Sequence, residues 1–147
     1  MIHKEVRNER AVVNVVDTPG ALNEELQDYL RDADLVIVPT RMSPRDIGPL
    51  MNMTKQIYRH APQASVIYVI NFWNRYNAGK DFQKWFDEAY PHAKVAIISQ
   101  SEVITQAALD EVSVVDYKKG SVPGEQIEGL MSLIDKEIGL KGDSNDQ

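Results

Sequence analysis

Val66-Ile67-Tyr68-Val69-Ile70-Asn71-Phe72 is apolar or aromatic at every position but one. A strand wet on one face alternates apolar and polar residues, so an unbroken run of this length predicts a strand buried on both faces. Such strands belong to parallel sheets with helices packed above and below. Three further runs share the character: Ala11 to Val16, Leu35 to Pro39 and Val95 to Ile98. Ser113 to Asp116 is a weaker fifth candidate. Between the runs the period changes to that of a helix. Leu22, Leu26 and Leu30 recur every four residues, and Ile47, Leu50, Met51, Thr54, Ile57 and Tyr58 mark one helical face. Phe82, Trp85, Phe86 and Ala89 form another stripe, and Ile127, Leu130, Met131, Ile134 and Ile138 a last one, entered through Pro123. The expected fold is therefore α/β, a mostly parallel sheet with helices on both faces. These stripes read as core, not as cofactor contacts.

The 147 residues are enough for one domain with a substantial core. We expect that domain to occupy residues 1–139, followed by a polar, disordered tail at 140–147. With 16 basic and 22 acidic side chains the net charge is −6, which opposes a general affinity for nucleic acid or anionic membrane. There is no cysteine, so disulfides and thiolate metal sites are excluded. His3, His60 and His92 follow no ligand spacing. No signal peptide or membrane span is evident, and a soluble cytoplasmic protein is the expectation.

The chemistry-bearing motif is Val15-Val16-Asp17-Thr18-Pro19-Gly20. In nucleotide hydrolases an apolar strand delivers an acidic residue toward magnesium, and the glycine after it lets a backbone N–H approach the terminal phosphate. The complementary element, G-x-x-x-x-G-K-[ST], is absent from these residues. Gly79-Lys80 is the nearest approach to it, with Asn74 in place of the first glycine and Asp81 in place of Ser or Thr. An aspartate there would repel phosphate.

From Asn14 to Ile138 the chain resembles the rear portion of the ParA/MinD type of P-loop ATPase, above all the ParA-like plasmid and chromosome partition proteins. Residues Val13 to Gly20 look like the family's Walker B strand and the start of its second switch. Ala33-Asp34-Leu35-Val36-Ile37-Val38-Pro39-Thr40, followed by Ser43-Pro44-Arg45-Asp46-Ile47, looks like the next strand and the turn into the next helix. Ile67-Tyr68-Val69-Ile70-Asn71 looks like the strand whose asparagine lies near adenine, and Ser121 to Ile138 resembles the closing helix. The resemblance implies a truncated P-loop NTPase or Rossmann-like fold and a parent function of ATP-dependent DNA segregation. ATP and magnesium would be the parent's ligands. The family's phosphate-gripping groups are missing here, so the chain alone is expected to be inactive and to bind neither ligand tightly. In the family sheet the P-loop strand lies between the Walker B strand and the strand at Leu35 to Val38. Its absence predicts a repair: either residues 11–16 pair directly with Leu35 to Val38, or a second copy fills the gap.

The resemblance implies that Asp17 holds magnesium, that Gly20 offers an N–H to the γ-phosphate and that Asn71 meets adenine. No catalytic residue is assigned. Each has a structural alternative: Asp17 as a cap for the helix near Leu22 or a solvated carboxylate, Gly20 as a turn residue, Asn71 as the start of an Asx-turn. Asp46 suits the first turn of a helix, where its charge opposes the dipole. A GTPase is disfavoured because Asn71-Phe72-Trp73-Asn74 lacks the lysine and aspartate of Asn-Lys-x-Asp. Glu24, Glu25, Asp28 and Asp32 read as the wet face of a helix and not as a metal cluster. Arg75, Lys80 and Lys84 beside Trp73, Tyr76 and Trp85, with Lys118 and Lys119 apart from them, make only a small cationic surface, so DNA binding is expected to be weak or absent. The partner expected is a second copy or a ParA-like relative, with no membrane. A stand-alone module that binds proteins or itself through an unpaired sheet edge is the rival reading.

Overall fold

The apolar run at 66–72 becomes the centre of the sheet. A computed structural model describes residues 13–18 and 24–139; Ala11, Val12, Gly20, Leu22 and the tail at 140–147 lie outside the described residues. The elements in chain order are α1 (Glu24–Asp32), β1 (Leu35–Thr40), α2 (Pro44–His60), β2 (Ser65–Trp73), α3 (Asn77–Ala89), β3 (Lys94–Ser99), α4 (Glu102–Leu109), α5 (Val114–Tyr117) and α6 (Val122–Ile138). The three strands form a parallel sheet in the order β1-β2-β3. Leu35 stands opposite Ser65 and Thr40 opposite Ile70 in one ladder, while Ile67 stands opposite Lys94 in the other.

Alternation along β2 divides the core between the two faces. Tyr68 and Ile70 point to one, against Leu26 and Leu30 of α1, Leu50 and Ile57 of α2, and Phe82 and Phe86 of α3. Ile67 and Val69 point to the other, against Ile104 of α4 and Ile127, Leu130 and Ile134 of α6. Ile67, Ile70 and Phe86 are completely buried. An aromatic cluster fills the first face, with the Tyr68 ring edge-on to Phe86 at 5.3 Å and stacked on Tyr90 at 5.7 Å. The α/β architecture with helices on both faces is thus the observed one.

Local chemistry sets the boundaries. Ser43 caps α2 in extended conformation, its hydroxyl accepting from the Arg45 N–H, and Pro44 follows at the first helical position. Asp46 lies in that first turn, the structural role expected of it. Ser121 caps α6, and Gly139 ends it in left-handed conformation at φ 74°. Gly79 is required by contact: a Cβ there would lie 2.7 Å from the Asn74 carbonyl oxygen and 2.9 Å from the Met42 sulfur.

Three expectations need correction. Residues 13–16 form no strand and do not pair with β1. Val15 is 90 % exposed, and β propensity alone does not hold a strand that has no ladder partner. Direct pairing with Leu35 to Val38 is therefore not how the sheet edge is managed among the described residues. Ser113 to Asp116 is the start of the short helix α5, not a strand, because the Ser113 hydroxyl accepts from the Val115 N–H and starts a turn. Finally, α4 was not foreseen, although Ser101 caps it and Glu102 opens it as a helix start requires. Within the stripe at 47–58, Leu50, Thr54 and Ile57 are buried, whereas Met51 and Tyr58 face outward.

Candidate functional site

Among the described residues β2 is paired on both sides, whereas β1 has a ladder only toward β2. Along its other side runs a groove of about 1880 Å³, walled by β1, by residues 13–18, and by helices from both layers of the fold. α1 contributes Leu26 and Leu30, and α6 contributes Met131, Ile134 and Ile138.

At the carboxyl ends of β1 and β2, where open α/β sheets hold their ligands, the groove gathers Asp17, Thr18, Arg41, Asp46, Asn71 and Phe72. Asp17 and Asn71 both line this groove; Gly20 lies outside the described residues. Asp17 is exposed. Its alternative as a cap for α1 concerns neighbouring residues 19–23, also outside them. Asn71 resolves in part. Its Oδ1 accepts from the Phe72 N–H at 2.9 Å, which leaves Nδ2 as the side chain's outward donor.

That bond stabilises an unusual turn in the strand. Phe72 has φ 56°, a left-handed conformation disfavoured for a bulky side chain, and the β2–β3 register slips between Ile70 and Trp73. The slip turns the Phe72 ring outward, half exposed, where the Arg41 guanidinium lies 4.7 Å from its centroid. Beneath them Thr40 is buried, and its hydroxyl donates to the Arg41 carbonyl. Sequence reasoning missed the Arg41–Phe72 pair because neither residue belongs to a motif; only the Asn-Phe pair at the end of an apolar run hints at a turn.

At the opposite end, where β1 begins, the groove carries Asp34, Asp135 and Glu137. Lys94 pairs with Glu137, and its hydrogen bond, followed by one from Ser65, holds the Glu137 carboxyl below the usual range. Over the whole groove six carboxylates (Asp17, Asp32, Asp34, Asp46, Asp135 and Glu137) face one cation, Arg41. This balance repels a triphosphate. Among the described residues no group of three or more His, Asp or Glu is arranged to hold a metal ion. The described residues by themselves thus offer magnesium-ATP one carboxylate at the motif position, Asp17, and a charge balance that opposes the triphosphate.

Near α3 two of the aromatics beside the cationic residues are engaged within the fold. Trp85 packs on Phe82 and Phe86, and the Trp73 indole N–H donates to Gln83. Tyr76 alone of the three aromatics is widely exposed. Glu24 and Glu25 open α1, and Asp28 pairs with Arg31, in keeping with a wet helical face. No described helix is long and apolar enough to cross a membrane. Compared with known proteins, the chain matches no family model and no curated protein sequence.

Proposed function

We propose that this chain is the rear half of a ParA-like partition ATPase unit, with ATP-driven DNA segregation as the parent function, and that by itself it carries out no ATP hydrolysis. The observation that supports this reading is the convergence of Asp17 and Asn71 on one groove at the carboxyl ends of parallel strands, beside a sheet edge that has no neighbouring strand among the described residues. In this reading Asp17 and Asn71 acquire magnesium and adenine roles only after a phosphate-binding loop and its strand are seated next to β1. A cytoplasmic location and weak or absent DNA binding accompany the proposal. Translating the coding DNA upstream of the Met1 codon tests it directly: a glycine-rich loop with lysine supports the reading, and its absence removes it. Calorimetric titration with magnesium-ATP tests the isolated chain. No saturable binding is expected below millimolar concentration, roughly 4 kcal/mol of binding free energy. Micromolar affinity would contradict the proposal.

A second reading has its own support. The outer edge of β1, unpaired among the described residues, lies between two helical layers, and a sheet edge so placed can receive an extended segment of another polypeptide. Here the chain is a strand-accepting module, a partner of its own copies or of a ParA-like relative.

A further inference from the structure

Thr40 ends β1 and Ser43 caps α2, so the connection between them is anchored at both ends. Thr40 is buried and its hydroxyl donates to the Arg41 carbonyl, while the Ser43 hydroxyl accepts from the Arg45 N–H. Two side chains lie between these anchors, and both cross to the neighbouring segment that leads from β2 into α3. The Arg41 guanidinium lies 4.7 Å from the centroid of the Phe72 ring. Met42 reaches the first turn of α3, where a Cβ on the buried Gly79 would stand 2.9 Å from its sulfur and 3.2 Å from its methyl. The thioether is seated there on bare helix backbone, in a fit that leaves no room for one more atom between them.

The segment so held departs from what its sequence prefers. Phe72 is left-handed at φ 56°, and the ladder register slips between Ile70 and Trp73. The Phe72 and Tyr76 N–H groups donate to the side-chain oxygens of Asn71 and Asn74, at 2.9 and 3.1 Å, in place of strand partners. A bulky residue in such a conformation is kept there by its surroundings. Arg41 and Met42 are the part of those surroundings that comes from the end of β1.

Sulfur makes this contact changeable. Oxidation turns methionine from a flexible apolar side chain into a polar one, and reductases reverse the change. Met51 and Met131 are 40 % and 50 % exposed, so an added oxygen there meets water. Met53 is partly buried, but it belongs to the 17-residue helix α2, whose backbone bonds hold the chain around it. Met42 is partly buried against the same apolar cluster and lies in a three-residue connection. We propose that Met42 is a redox latch: a hydroperoxide oxidises its sulfur, the seat on Gly79 is lost, and the Arg41–Phe72 mouth of the groove loosens until the sulfoxide is reduced. The step moves one oxygen atom. The peroxide O–O bond breaks, an S–O bond forms and sulfur gives up two electrons, while the departing oxygen takes the proton and leaves as water or an alcohol.

Treatment of the full chain with hydrogen peroxide, followed by peptide mapping and hydrogen–deuterium exchange read by mass spectrometry, tests the latch. Once Met42 is converted, amides at 41–46 and 72–80 should exchange about tenfold faster, whereas those at 65–70 in the centre of the sheet should keep their protection. Methionine sulfoxide reductases should restore the slow exchange. Met42→Leu, which keeps the volume without the sulfur, should remove the response while Met51, Met53 and Met131 are still oxidised. Met42→Gln, polar and unbranched, should show the fast exchange with no oxidant; if that variant does not fold, the peroxide comparison with Met42→Leu decides alone. Any of the following overturns the latch: Met42 resists conversion while Met51 and Met131 are fully oxidised, the two turns keep their slow exchange after conversion, residues 65–70 lose protection along with them, or treated Met42→Leu responds as the native chain does.

Discussion

β2 and residues 13–16 are both runs of β-branched, apolar residues, yet Ile67 and Ile70 in the first are completely buried while Val15 in the second is 90 % exposed. The difference lies outside either sequence. β2 has a ladder on each side and a helical layer on each face; residues 13–16 belong to no strand ladder among the described residues. An apolar run specifies a strand only when neighbours exist to take its hydrogen bonds, because unpaired backbone groups withdrawn from water cost free energy that side-chain burial must offset. The largest test of this contrast is a pair of truncations. Ile70→Ala should destabilise the fold by about 2–5 kcal/mol, since the space it leaves is enclosed between β strands and three helices. Val15→Ala, measured at the lowest workable chain concentration, should stay within about 0.5 kcal/mol. Urea unfolding of the two variants compares them, and equal losses would mean that residues 13–16 are part of the monomer's core.

The same contrast explains how much was legible in advance. Three strands and four principal helices follow from period and punctuation: Leu26 and Leu30, Leu50 and Ile57, Phe82 and Phe86, Leu130 and Ile134 all face the sheet as their spacing requires. Ser43, Pro44 and Ser121 mark helix starts by local chemistry that a sequence displays. The strand expected at 11–16 failed in its described part because pairing is a property of the whole sheet. Ser113 to Asp116 failed because a serine cap outweighs the β propensity of two valines in so short a run. In the groove, Asp17 and Asn71 were singled out by motif position, whereas Arg41 over Phe72 depends on a left-handed residue and a register slip. A bulky residue at φ 56° leaves no compositional trace.

A smaller effect sharpens what burial means within β2. The Tyr68 and Thr54 hydroxyls meet at 3.0 Å inside the core, and no described buried side-chain polar atom lacks a partner. Thr54→Val or Tyr68→Phe should each cost about 1–3 kcal/mol by leaving the other hydroxyl unsatisfied or a packing defect behind, and the double variant should cost less than the sum. Burial raises the Tyr68 phenol above the ordinary tyrosine value, with Tyr58 and Tyr90 adding to the effect against the Thr54 hydrogen bond. The sign follows from the neutral form being favoured in the folded state. Stability is complete below the unfolded tyrosine pKa and falls as pH rises through the folded one. Tyr68→Phe should flatten that alkaline decline in thermal melts taken across the range; an unchanged slope would place the titrating group elsewhere.

The smallest expected effect lies at the amino end of the sheet, where Lys94 of β3 reaches Glu137 of α6. The Lys94 hydrogen bond, then that of Ser65, lowers the Glu137 pKa, so any stability from this pair is present above the unfolded carboxylate pKa and lost as pH falls through the lower folded value. Screening by solvent keeps such a contribution minor. Lys94→Met should therefore shift the melting temperature slightly at neutral pH and not at all once the carboxyl is protonated in both states. Against Ile70→Ala the two variants mark the ends of one scale, from enclosed apolar packing to an ion pair whose lysine is half exposed. If Lys94→Met instead destabilised the chain as much as Ile70→Ala at neutral pH, the attachment of α6 would depend on that charge pair more than on Ile127, Leu130 and Ile134, and the division of the core between two apolar faces would have to be redrawn.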